Sequence, residues 1–421
     1  MKKYLYTSVA TVLGGLVVAS GAHAGGMPEG YYNKIQPQGG MPAVSAPTSA
    51  KQASAGGAVA KSAPAAGGSA RHGGSAPSVS VGGFIDFQAG FTDQDSAFET
   101  GANSREYKFQ NDTEVHIAVE GAADNGLAYG AVIELEADTN ADADGEGLNA
   151  DKTYLFLESS AGRLELGNNE GAEQALNVSA ASIARATGGV DGDFYDFANV
   201  GGSTGTIPFI IRPDLPAAHA RGVTEDATKI TYYTPRFSGL QLGVSYTPDQ
   251  GDGGTASGFT GEIPGTDQEN VFGLGLNYQG QYEEVGVEAS LVGEFGDAEA
   301  AGTEDVSAWG GGLVLSSRGF SLAGSYHDWG DSGLAVGTVN DDQNVWTVGG
   351  AYETGPFGVS VTYLDSESQD HDFTNLSFGA DYQLAPGLVP YVEVTLFDAD
   401  ENGTTVDNDG SVVLVGAELS F

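Results

Sequence analysis

From Val79 to its last residue, Phe421, the chain alternates apolar side chains with small or polar ones. A period of two places successive side chains on opposite faces of an extended strand. In Leu127 to Asp138 the odd positions Leu127, Tyr129, Ala131, Ile133 and Leu135 are apolar, while Gly130, Glu134, Glu136 and Asp138 fall on even ones. In Leu240 to Thr247, Leu240, Leu242, Val244 and Tyr246 oppose Gln241, Gly243, Ser245 and Thr247. Leu376, Phe378, Ala380, Tyr382 and Leu384 form another such stripe. At the terminus Phe421, Leu419, Ala417, Val415 and Val413 share one face, and Ser420, Glu418, Gly416, Leu414 and Val412 share the other. Little helical periodicity competes with this pattern, so the fold class is all-β.

Two kinds of connection join the strands. Asp124-Asn125-Gly126, Ala161-Gly162, Pro235 to Gly239, Arg318-Gly319, Gly355-Pro356 and Pro386-Gly387 are short and carry tight-turn residues. Asp138 to Asp151, Asp249 to Asn270 and Gly330 to Gln343 are longer and acidic. Short turns at one end and long loops at the other are expected of a transmembrane antiparallel β-barrel. The segments add up to about sixteen strands. Sandwiches and small soluble barrels also alternate, but sixteen strands enclose a lumen too wide for side chains to fill. The lumen then holds water, the apolar stripe faces lipid, and every backbone group pairs within a closed sheet. Tyr129, Tyr246, Tyr326, Trp329, Tyr363 and Tyr382 stand near strand ends, where interfacial aromatic girdles are expected.

The first residues read differently. Lys2 and Lys3, an uncharged stretch from Tyr4 to Ser20, and Ala22-His23-Ala24 have the form of a secretory signal peptide over residues 1–24. Residues 25–78 are rich in Gly, Ala, Ser and Pro, which cannot bury enough apolar surface to offset chain entropy, so disorder is expected there. The barrel would span 79–421. The chain has no cysteine, so no disulfide framework or thiolate metal site is available. Its net charge is −41, yet six of its bases (Lys2, Lys3, Lys34, Lys51, Lys61 and Arg71) and only one acid, Glu29, precede Val79. The remainder is strongly acidic and repels nucleic acid.

The alternation breaks between Gly167 and Asp226, a length typical of functional loops. Before the break stand Ser160-Ala161-Gly162-Arg163-Leu164-Glu165-Leu166-Gly167-Asn168 and then Glu170-Gly171-Ala172; earlier comes the hairpin Asp124 to Ala131. With the terminal aromatic strand, these segments make the chain similar to the bacterial general porin family, notably its alphaproteobacterial members. The resemblance covers roughly Val79 to Phe421. It implies a third loop folded into the barrel as a constriction, a homotrimer, and passive diffusion of small hydrophilic solutes and ions. It also implies Phe421 as an assembly signal read by the barrel-assembly machinery, in an outer membrane of lipid and lipopolysaccharide.

On that resemblance the constriction loop carries Glu170, Glu173, Asp191, Asp193 and Asp196, with Arg185 the lone base among them. The family sets basic side chains on the facing wall. Parity offers Lys108 and, less directly, Arg105, Lys152 and Lys229; His116 and Glu134 face the same way. The bases here are sparse where the family clusters arginines, so a cation-preferring pore is expected, since rings of like charge exclude the like-charged ion.

Other chemistry has less support. Asn140, Asp142, Asp144 and, further on, Asp151 have ligand spacing like the start of an EF-hand loop, a candidate Ca2+ site, but strands rather than helices flank them. A solvated acidic loop is the better account of them, and divalent ions could bridge such acids to lipopolysaccharide. No cofactor is required. His23, His72, His219 and His371 are assigned to signal, tail or loops, and no serine motif accompanies His116 or His327, which argues against an enzyme. Two alternatives stay open: a substrate-selective porin, although Trp309, Trp329 and Trp346 do not cluster, and a structural protein that tethers the membrane to the cell wall through the N-terminal arm.

Overall fold

The computed structural model describes residues 75–95, 105–137, 149–198, 224, 227–250, 268–339, 343–368, 371–401 and 407–421. Sixteen strands follow one another. They begin with β1 (Ser75–Asp93), β2 (Tyr107–Ala122), β3 (Ala128–Glu136), β4 (Asn149–Ser159) and β5 (Gly162–Asn168). After a long connection come β6 (Thr228–Tyr233), β7 (Leu240–Asp249), β8 (Gln268–Tyr282), β9 (Val285–Ala298) and β10 (Val306–Ser317). The last six are β11 (Phe320–Asp328), β12 (Gln343–Thr354), β13 (Phe357–Ser368), β14 (His371–Tyr382), β15 (Leu388–Glu401) and β16 (Asp407–Ser420). Each pairs antiparallel with its sequence neighbours, and β1 pairs with β16, so the sheet is a closed barrel without an edge. Two boundaries move from the sequence reading. The first strand starts at Ser75 rather than Val79, and His371 opens β14 instead of lying in a loop.

Closure uses the terminal residue. Phe421 and Gly83 exchange two backbone hydrogen bonds, at 3.1 and 3.0 Å, while Ile85 pairs with Leu419 and Phe87 with Ala417. The short turns behave as their residues require. Gly319 and Gly387 sit at φ of 83° and 78°, where a Cβ would meet a backbone carbonyl oxygen at 2.3 and 2.2 Å.

The two faces of the wall are the reverse of a soluble globule. On β7, Leu240, Leu242 and Val244 are exposed, while Gln241, Ser245 and Thr247 are buried. The same inversion holds at Leu274 and Asn277 on β8, and at Phe378 and Ser377 on β14. A continuous exposed apolar surface over a sheet with no free edge is what hydrocarbon demands. No helix among the described residues is long and apolar enough to cross a membrane; the strands do so. Tyr326 and Tyr382 are exposed on the outer face as a girdle requires, but Trp329 is buried near His327, with ring centroids 6.0 Å apart.

The polar face also contains apolar patches. Val345, Leu364, Phe373, Phe397, Ala399, Val412 and Leu414 are buried together with Ala180, Val190 and Phe194 of the connection between β5 and β6. Phe194 stacks parallel to Phe373 at 6.4 Å between centroids. This explains why Val412 and Leu414 interrupt the polar face of the last strand.

Candidate functional site

The described part of the connection after β5, residues 169–198, is built from short turns. Helix α1 (Ala172–Ala175) is followed by three 3₁₀ turns, Ala180–Ile183, Gly189–Asp191 and Asp193–Asp196. Ser179 and Ser182 cap the first 3₁₀ turn: Ser179 Oγ accepts from the Ala181 amide at 3.2 Å, and Ser182 Oγ accepts from the Ser179 amide at 3.0 Å. The segment touches the polar faces of the strands in order. Helix α1 meets β6 to β9, the next turn meets β10 to β13, the third meets β13 and β14, and the last meets β16.

The bonds follow that path. The Ala172 amide donates to Ser245 Oγ at 3.2 Å, and Asn277 Nδ2 donates to the Leu176 carbonyl at 3.3 Å. The Val178 amide donates to Ser290 Oγ at 3.1 Å and the Ala180 amide to Thr347 Oγ1 at 3.0 Å. Arg185 forms a two-pronged pair with Asp381, both contacts at 2.7 Å, and its amide donates to Ser360 Oγ at 2.9 Å. The Glu393 carboxylate accepts from Thr187 Oγ1 at 2.7 Å and from the Gly189 amide at 3.0 Å. Near the end of the segment Gln88 donates to Asp193, and Gln110 Nε2 donates to Asp196 Oδ2 at 2.6 Å.

These contacts assign each candidate residue a place. Glu170 is buried with Oε1 at 3.2 Å from Lys152 Nζ. Burial pushes its carboxyl above the usual range, and the Lys152 charge opposes that. Glu173 is buried over Gly273 of β8 and accepts from Ser245 Oγ at 2.9 Å; burial again raises its carboxyl. Asp191 and Asp193 are buried too, whereas Asp196 is exposed. The acids expected on the constriction loop are therefore mostly buried against the wall.

The wall residues divide in the same way. Lys108 is exposed on β2, with Nζ 3.3 Å from the Asp196 carbonyl and 5.3 Å from the Phe197 ring centre. Arg105 is exposed ahead of β2. Lys152 lies 3.3 Å from Glu134 Oε2 and 3.9 Å from Asp151 Oδ2. Lys229 is buried and donates to the carbonyls of Asn169 and, at 2.9 Å, Ala227. His116 Nε2 is 2.7 Å from Glu114 Oε2. Asn140, Asp142 and Asp144 lie outside the described residues. Asp151 is described, and its carboxylate lies within 4.8 Å of ligand atoms on Glu114 and Glu136. The residues that sequence reasoning missed are Gln88, Thr187, Asp381, Glu393 and Glu353, whose Oε2 lies 3.4 Å from Arg185 Nη1. Glu393 had one visible signal, a lone carboxylate between Val392 and Val394.

A closed sixteen-stranded barrel with an apolar exterior and a segment bonded to its polar face defines the porin class of outer-membrane proteins. The sequence profile of Gram-negative porins matches residues 43–402, and the chain belongs to that family. An uncharacterised protein of Rickettsia typhi is 26% identical over 420 residues, covering 82% of this chain and 93% of the relative. One of Rickettsia conorii is 25% identical over the same shares. Among solved structures, a mutant of the Rh. blastica porin matches with a TM-score of 0.52 at 17% identity, covering 82% of this chain and all (100%) of that one. The anion-selective porin from Comamonas acidovorans matches with a TM-score of 0.57 at 15% identity over the same shares. Family and fold make this protein an outer-membrane channel for passive diffusion.

Proposed function

We propose that the segment after β5 folds into the lumen as the constriction of a cation-preferring diffusion pore with no catalytic role. The carrying observation is the run of hydrogen bonds from residues 172–196 to polar-face side chains on β1, β2, β7 to β9 and β12 to β15. A segment that bonds to one face of so many strands of a closed barrel narrows whatever that face encloses. Preference for cations is supported by the acids grouped on β2 to β4, where Glu114, Glu134, Glu136 and Asp151 outnumber Lys152. Negative charge lining a pore concentrates cations and repels anions.

Reconstitution into a planar bilayer under a KCl gradient tests this reading. Ohmic steps with a reversal potential of the sign set by potassium are expected, and anion preference would overturn the charge argument. Absence of steps from a correctly folded barrel would overturn the channel itself. The reading extends to a homotrimer exported by a signal peptide over residues 1–24, which crosslinking and N-terminal sequencing of the mature protein would check.

A further inference from the structure

Three candidate metal ligands converge where β2, β3 and β4 lie side by side. His116 is directly opposite Glu134 in the register, and Glu114 is the next residue on the same face of β2. One ligand atom from each of Glu114, His116 and Glu134 lies within 4.8 Å of the other two. Zn–N and Zn–O bonds of about 2.0–2.2 Å at tetrahedral angles set ligand atoms roughly 3.4 Å apart, so side-chain shifts on the order of 1 Å would close the triad around an ion.

Charge points the same way. The Lys152 ammonium is shared by Glu134 at 3.3 Å, Glu170 at 3.2 Å and Asp151 at 3.9 Å. Glu114 and Glu136 add two further carboxylates on the neighbouring strands β2 and β3. Glu134 Oε2 and Glu170 Oε1 are both shut off from solvent, and both lean on the same Lys152 ammonium; Glu170 is only 3% exposed. Desolvated carboxylates in excess of their counter-charges favour an added cation. A β-bulge contributes as well. Glu134 pairs with Lys152 and Leu135 with Ala150, so Asp151 is the extra residue, and its carboxylate joins the face that Lys152 occupies.

We propose that Glu114, His116 and Glu134 form a binding site for a first-row divalent metal ion such as Zn2+. One imidazole with two carboxylates suits Zn2+, Ni2+ or Mn2+, whereas Ca2+ selects an all-oxygen shell. The site's place inside the channel rests on the reading of the polar face as the pore wall. A divalent ion held there would reverse the local charge beside Glu170, where the loop meets β4.

Calorimetric titration of the detergent-folded protein with ZnCl2 tests the site, and single-channel current recorded as Zn2+ is added tests its position. Saturable binding of one ion per chain is expected, weakened at least about tenfold in both His116→Ala and the shape-preserving Glu134→Gln. His371→Ala, on β14, should bind as the unmodified protein does. Heat-modifiable gel mobility confirms that each variant is folded. Lack of stoichiometric binding, or equal binding by His116→Ala, overturns the site. Binding with unchanged current from an otherwise conducting barrel overturns its place in the ion path. A barrel that binds Zn2+ but never conducts supports the site and counts against the pore.

Discussion

Along β12 to β15 the wall meets the loop through Thr347, Ser360, Ser377 and Asn375, whereas on β2 to β4 carboxylates crowd around Lys152. The first region is covered, so the backbone amides and carbonyls of the loop need partners, and neutral hydroxyls and amides supply them at low desolvation cost. The charges admitted there are closely matched: Arg185 is forked onto Asp381, and Glu393 takes two donors from the loop. In the second region His116 and Glu134 remain partly accessible, and three carboxylates share the one Lys152 ammonium.

The largest effect should follow from breaking the fork. Arg185→Ala leaves Asp381 without its guanidinium and should cost about 2–3 kcal/mol, the low end for a largely buried pair, because Arg185 is not fully enclosed. A released loop would appear as higher, noisier conductance and as new cleavage within residues 172–198 by a soluble protease. Glu393→Ala strands the Thr187 hydroxyl and Gly189 amide, and should cost about 1–3 kcal/mol with a similar but smaller rise in conductance. Unchanged conductance in both variants would mean that the covered wall does not hold the loop.

Gly312→Ala probes fit rather than charge. A Cβ there would lie 1.8 Å from the Val178 carbonyl oxygen, and relief should cost about 1–3 kcal/mol, loosening the loop over β10 more than over β14. Hydrogen exchange resolved along the loop would show the gradient.

A smaller effect should appear with pH. Burial raises the Glu173 carboxyl, so the docked loop takes up a proton that the free loop would release. Docking is then strongest below the free carboxyl's value, near about 4.3, and weakens as pH rises toward the docked value. Conductance measured from pH 4 upward should increase across that window, on a scale roughly set by one carboxyl. Glu173→Gln should flatten the dependence, and an equal slope in that variant would assign it to another group. Smallest of all is Arg318→Ala at the β10–β11 turn, whose pair with Glu284 is well exposed; stability should change by less than about 0.5 kcal/mol in thermal unfolding.

The parity of Leu240 to Thr247, the turn glycines and the terminal Phe421 made the barrel legible in the chain. The loop acids were legible as acids but not as buried ones. Glu170 and Glu173 look alike in sequence, yet one lies against Lys152 and the other on Ser245, partners 18 and 72 residues away in the chain. Asp381 and Glu393 were missed because partners 196 and 206 residues distant leave no local pattern.

By itself the sequence determined the strand period, the turns and the inverted faces, since these depend on neighbours two residues apart or on the φ of a single glycine. Only the tertiary structure decided which charges are neutralised against the loop and which are gathered on β2 to β4. Ion pairing depends on distances between side chains that closure of the sheet brings together, and alternation along one strand carries no information about them.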